Sequence, residues 1–183
     1  ARLAYLKEHK RISEYDSENL TYAMLEQIIE ENAEFCHLGI VCHQPLRQLL
    51  RDVSLLSDDD RNYALHPKTH IDFLLYNRVS KQPVLAIETD GYQHHKSGTE
   101  QSVRDEKKNR ILATYGIPLL RLSTIGSNER QQVEDALKNV HLVFFLTLNP
   151  DTKSLSEEDG VRKQVPADFF QEYSQRKTKF LIL

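Results

Sequence analysis

No apolar run in the 183-residue chain approaches the roughly 20 residues that a helix needs to cross a bilayer. No stretch has the charged start, apolar middle and small-residue cleavage site of a signal peptide. Cysteine is scarce. Cys36 and Cys42 are the whole complement, too few for a disulfide framework and in keeping with a reducing, cytoplasmic setting. Positive charge is not in excess: 24 Lys and Arg stand against 27 Asp and Glu, for a net charge of −3. Proteins that grip nucleic acid unaided are usually basic. The deficit counts mildly against strong autonomous DNA binding and is compatible with a catalytic domain delivered to its substrate by a partner or by fused domains. Neither an internal repeat nor a low-complexity tract is present.

What is present fits one globular domain: 39% hydrophobic and 28% charged residues in a chain long enough to bury a core. The chain starts at Ala1 rather than Met, as one domain cut from a longer protein would. Residues 1–183 read as a single domain with a core of about 17–148, followed by a polar linker and C-terminal extension over 151–183. The spacing of Leu20, Met24, Leu25, Ile28 and Ile29 predicts a helix from Ser17, as N-cap, to about Ala33. Gly39 to Leu46 reads as a strand, and Leu46 to Val53 as a brief turn or helix. Ser57-Asp58-Asp59-Asp60 reads as a polar loop, with irregular chain to Pro67. Two strands follow, joined by a polar turn from Asn77 to Gln82. Gln101 to Tyr115 is the next helix, stopped by Gly116 and Pro118. Ile117 to Leu122 is a buried strand, Asn128 to Lys138 a helix, and His141 to Leu148 an apolar strand. Beyond it, Asp151 to Gln164 reads as loop, Ala167 to Lys177 as helix, and Phe180 to Leu183 as an apolar tail. The expected class is α/β, with a central mixed sheet flanked by helices.

The chemistry concentrates in the paired strands. Ile71-Asp72-Phe73 lies on the first, and Ile87-Glu88-Thr89-Asp90-Gly91 closes the second. Each acid sits in or at the end of an apolar run, where carboxylates rarely go unless paired or holding a metal. Glu88 and Asp90 share a strand face, so both can meet a divalent cation together with Asp72. On the following helix, Gln101, Arg104 or Asp105, and Lys108 recur at helical spacing and share a face.

This order of residues resembles the PD-(D/E)XK nuclease superfamily: Asp72, then Glu88-Thr89-Asp90-Gly91, His94, Gln101-x-x-Arg104-Asp105-x-x-Lys108, and Gly116-Ile117-Pro118-Leu119-Leu120-Arg121-Leu122. More narrowly it resembles the branch related to very-short-patch repair endonucleases, which includes the DUF2726 and DUF559 groups. The resemblance spans roughly Ser17 to Leu122. It implies a restriction-endonuclease-like core and Mg²⁺- or Mn²⁺-dependent cleavage of DNA. It also implies a role in repair, restriction or defence, alone or with a fused or separate helicase-type ATPase module. Asp72 and Glu88 match the family's acids. Asp90 stands where the superfamily has its lysine, a departure that matches the E-x-D-G-x-x-H form of this branch. His94 matches that form's histidine and would act as general acid/base or metal ligand. Lys108 would replace the missing lysine from the helix. Glu18 matches a helix glutamate near the site, and Gln101, Arg104 and Asp105 would support it, Arg104 by holding phosphate. No organic cofactor and no membrane are implied. Cutting both strands with one site per chain would call for a homodimer.

The rival expectation is a nuclease-like module that binds nucleic acid or protein without cutting, kept open by Asp90 in the lysine position and by the net acidity. A hydrolase or transferase acting on another substrate is the third. Cys36-His37 and Cys42-His43 fit no common zinc spacing and read as small core residues. Lys107 reads as a solvated charge, as do Arg162-Lys163 and Arg176-Lys177. Asp90-Gly91 also fits a simple turn, and Arg104 and Asp105 a helix-surface pair.

Overall fold

The computed structural model describes residues 11–50, 52–90, 100–123 and 128–148, with backbone only at 90, 100 and 141–148. In chain order the elements are α1 (Asp16–Glu31), a 3₁₀ turn (Ala33–Phe35), β1 (Leu38–Pro45), α2 (Leu46–Leu49), α3 (Asp58–Leu65), β2 (His70–Asn77), β3 (Pro83–Asp90), α4 (Glu100–Thr114), β4 (Leu119–Ser123) and α5 (Glu129–Leu148). The four strands form one mixed sheet in the order β1-β2-β3-β4. The first two pairings are antiparallel, and β3 and β4 run parallel. A parallel pair needs a crossover, and α4 supplies it. This is the expected α/β architecture with helices around a central sheet. The chain divides into two compact units, Ala1–Ala136 and Leu137–Leu183. The sheet lies in the first. The described part of the second is the end of α5.

The helix α1 starts at Asp16 with Tyr15 as N-cap and no side-chain cap, so Ser17 lies inside the helix instead of capping it. Asn19 ties the preceding segment to the helix. Its Oδ1 accepts from the Ile12 and Ser13 amides at 2.8 and 3.3 Å. Its Nδ2 donates to the Ser13 and Tyr15 carbonyls at 2.9 and 2.8 Å. The strand β1 begins one residue earlier than expected, and α2 is a single turn.

Ser57 to Leu65 departs from the expected loop. It forms α3, capped by Ser57 Oγ, which accepts from the Asp60 amide. The three aspartates occupy the first turn, where the helix dipole favours negative charge. A run of acids reads as loop by polarity alone, yet here it is an N-terminal cap signal. A second departure is His141–Leu148, which continues α5 and forms no strand. Neither glycine nor proline intervenes before Pro150, and an apolar run alone cannot separate helix from strand.

Helix α4 ends as expected: Gly116 takes φ 64°, the left-handed conformation that a residue without Cβ adopts freely. One buried cluster joins Ile71, Leu74 and Ala86 of the sheet to Leu46, Leu56 and Ala64 and to Ile111 and Leu112 of α4. Burying these side chains stabilises the sheet-helix layer by roughly 1.5–3 kcal/mol per large residue and fixes how α4 lies on β2 and β3. The expected elements at 151–164, 167–177 and 180–183 lie outside the described residues.

Candidate active site

Strand register assembles a polar row across this apolar sheet. Phe73 pairs with Ile87, so the next antiparallel position sets Asp72 beside Glu88 on one face. Glu88 pairs in turn with Arg121 of β4. On the other side, Cys42↔Phe73 and Gln44↔Ile71 leave His43 opposite Asp72.

Asp72 is anchored by the neighbouring strand. Its Oδ2 accepts from the Thr89 amide at 2.8 Å and from Thr89 Oγ1 at 3.0 Å. Its Oδ1 lies 4.0 Å from His70 Nε2. Glu88 is buried, with 6% of its surface exposed. Its Oε2 accepts from Lys108 Nζ at 2.6 Å, while Oε1 is buried without a hydrogen-bond partner. Burial and the charge of Asp72 push the Glu88 carboxyl from an ordinary 4.5 up to about 7, and Lys108 only partly offsets the desolvation. Lys108 is itself 9% exposed. It reaches the acids because the helix turns it, with buried Ile111 and Leu112, toward the sheet.

Around this pair, Gln101 donates to Asp105 at 3.1 Å, and Asp105 meets Arg121 at 3.3 Å. Arg121 also donates to Asn109 at 3.2 Å. Burial and the charges of Glu88 and Asp105 push the Tyr63 hydroxyl up. Arg104 is an exposed residue of the same helix, and its charge acts on Tyr63. The structure therefore brings together Asp72, Glu88, Lys108, Gln101 and Asp105. Asp90 continues β3 opposite Ser123, with its side chain outside the description. His94 lies outside the described residues.

Glu18 belongs to a neighbouring group. His43 Nε2 stands 3.4 Å from its Oε2, without the alignment of a hydrogen bond, and that oxygen is buried and unpartnered. Lys107, on the outer side of the helix, pairs with the exposed Asp59, its Nζ 2.7 Å from Asp59 Oδ1 and 5.9 Å from the Tyr63 ring centre. Cys36 is exposed and Cys42 half-buried, so Cys36 is not the small core residue expected; at Cys42, burial and the charges of Glu26 and Glu18 push the thiol up. Among the described residues, no three His, Cys, Asp or Glu side chains converge as a metal would need.

Tyr63, Arg121, His43 and His70 are members that the sequence expectations did not assign. Arg121 carried a signal, because a charge within Leu119-Leu120-Arg121-Leu122 belongs in a strand only if something answers it. The two histidines carried none, since strand register alone brings them beside Asp72.

A profile of the family described as "Protein of unknown function (DUF2726)" matches residues 12–140. The chain belongs to the DUF2726 family. The match spans all four strands and both acids, so Asp72, Glu88 and Lys108 lie within the DUF2726 domain. Comparison with curated proteins and with solved structures returns no match. Among the described residues, no helix is long and apolar enough to cross a membrane.

Proposed function

We propose that this chain is a metal-dependent DNA endonuclease domain with a restriction-endonuclease-like core that hydrolyses phosphodiester bonds. One observation carries the reading. Glu88 is a buried carboxylate held by Lys108 beside Asp72, and one of its oxygens has no donor. A buried oxygen left without a partner costs roughly 1–3 kcal/mol, more when charged. Carboxylates are kept in such places for a cation or for chemistry.

The donor set fits Mg²⁺ or Mn²⁺, which take oxygen ligands and retain water. Asp72 and Glu88 would hold the ion, with Asp90 as the third acid. When bound, it would lower the pKa of a coordinated water and polarise the phosphate. Thr89 fixes Asp72 through two hydrogen bonds, so that one oxygen is committed and the other is left for the ion. Lys108 donates to Glu88 at 2.6 Å and would supply N–H donors where charge grows on the phosphate. It thereby offsets the aspartate that stands in the superfamily's lysine position. Arg104 would contact flanking phosphate, and His94 would move the proton. The substrate is DNA. The expected setting is cytoplasmic repair, restriction or defence, with a helicase-type module delivering an acidic domain that binds DNA weakly alone, and with a homodimer for double-strand cuts.

The test is cleavage of supercoiled plasmid and labelled single-stranded DNA in Mg²⁺ or Mn²⁺ against EDTA, wild type beside Glu88→Ala. Metal-dependent cutting that falls by at least about a hundredfold in the folded variant is the expected result. Equal cutting by both proteins refutes the assignment. Metal-independent DNA binding with no cutting by wild type favours the non-cutting module.

A further inference from the structure

A lysine on β3 itself would be held beside Glu88 by strand pairing. Lys108 comes from α4 instead, so its place depends on how that helix slides and turns on the sheet. A slip of one residue rotates every side chain by about 100° and would bring Lys107 or Asn109 to where Lys108 stands. Ile111 and Leu112 bury against the sheet, but apolar burial is non-directional. Satisfied polar contacts of fixed geometry are what specify one arrangement.

Arg121 supplies such contacts. It lies on β4 in register with Glu88, one strand or about 4.8 Å away. Its guanidinium grips α4 at three points: the Asp105 carboxylate at 3.3 Å, the Asp105 carbonyl at 3.4 Å and Asn109 Oδ1 at 3.2 Å. Asp105 and Asn109 stand one turn apart on the same side of the helix, and Lys108 lies between them in sequence. One turn before, Gln101 donates to Asp105 at 3.1 Å and holds that carboxylate in place. A planar guanidinium can meet several acceptors at once in a fixed fork. The side chains of Arg121 and Asp105 are 22% and 23% exposed, so water screens this contact less than it screens Lys107 and Asp59. The outer pairs, Lys107 with Asp59 and Arg110 with Asp60, tie α4 to α3. Arg121 ties α4 to the sheet, on the strand next to Glu88.

We propose that Arg121 is a positioning residue: by pinning α4 to β4 through Asp105 and Asn109, it sets the helix register that puts Lys108, and not Lys107, against Glu88. The inference rests on the nuclease reading for the reaction that Lys108 serves, while the placement of Lys108 is measurable without any reaction.

The experiment sets Arg121→Gln beside wild type, with thermal melts to establish that both are folded. In EDTA, an amine-reactive reagent should modify Lys108 of wild type at least about tenfold more slowly than Lys107, read by fragment mass spectrometry. In Arg121→Gln the two rates should come within about threefold of each other. Single-turnover cleavage at saturating Mn²⁺ and DNA should fall about thirtyfold in the variant, while DNA affinity in EDTA stays within about twofold. In a Lys108→Met background the same substitution should cost less than about twofold, because the group it misplaces is already gone. Asn109 is exposed, so Asn109→Ala, with the same pattern at about threefold, carries the test if Arg121→Gln does not fold. Unchanged protection of Lys108, a full loss in the Lys108→Met background, or a fall in DNA affinity that matches the fall in rate overturns the proposal. Wild type that does not cut, with Lys108 exposed to the reagent in Arg121→Gln, would remove the nuclease reading and keep the positioning role. Metal-dependent cutting lost in Glu88→Ala, with Lys108 still protected in Arg121→Gln, would remove the positioning role alone.

Discussion

Lys107 and Lys108 are neighbours in sequence and opposites in situation. Lys107 points to the outer side of α4, where Asp59 of α3 meets it at 2.7 Å with 69% of that aspartate side chain exposed. Lys108 points inward and meets Glu88 at 2.6 Å, with 11% and 8% of the two side chains exposed. The distances are alike and the energetics are not. An exposed pair is screened by water and contributes about 0–1 kcal/mol. A buried pair has surrendered its hydration, and removing one partner strands the other. The outer side of α4 is a clamp: Asp60 also holds Arg110 at 2.8 Å, fixing α4 against α3. The inner side carries the candidate site, where Lys108 meets Glu88.

The sharpest way to break this contrast is to remove each lysine in turn. Lys108→Met should reduce metal-dependent DNA cleavage by about a hundredfold, whereas Lys107→Ala should leave the rate within about twofold. Single-turnover cleavage rates at saturating Mn²⁺ would decide it. Equal losses would mean that Lys108 is only another clamp.

A smaller effect concerns protons. Glu88 binds its proton more tightly in the folded chain, near pH 7 against an ordinary 4.5. Its contribution to stability is therefore full below about pH 4.5 and is lost as pH rises through about 7. Glu88→Gln does not titrate, so in EDTA the variant should gain on wild type between pH 5 and pH 8 by up to about 3 kcal/mol. Urea unfolding at several pH values measures this, and a difference independent of pH would show that Glu88 is ionised throughout. The smallest effect belongs to the clamp. Ser57→Ala removes the α3 cap and should cost about 1 kcal/mol without changing the cleavage rate, as thermal melts and the same cleavage assay would show.

The legible parts of the fold were those with local causes. The hairpin strands carry apolar runs around a polar turn, and α4 carries its own stop at Gly116. The acidic helix α3 and the continuation of α5 were less legible. In one case charge masked a cap, and in the other an apolar run fitted two periods. Within the site, Asp72 and Glu88 stood out because carboxylates interrupt apolar strands. The partner of Lys107 was not legible, because nothing in its neighbourhood along the chain shows that Asp59 will lie across from it.

The sequence by itself determined the family, the pair of acids on paired strands, and the helical face that carries Gln101, Asp105 and Lys108, because strand and helix periods act over a few residues. Only the tertiary structure decided which lysine meets Glu88, that Arg121 answers Asp105, and that His43, His70 and Glu18 gather beside Asp72. Those contacts depend on strand register and on how α4 docks, and both are set by burial of the shared core rather than by neighbours along the chain.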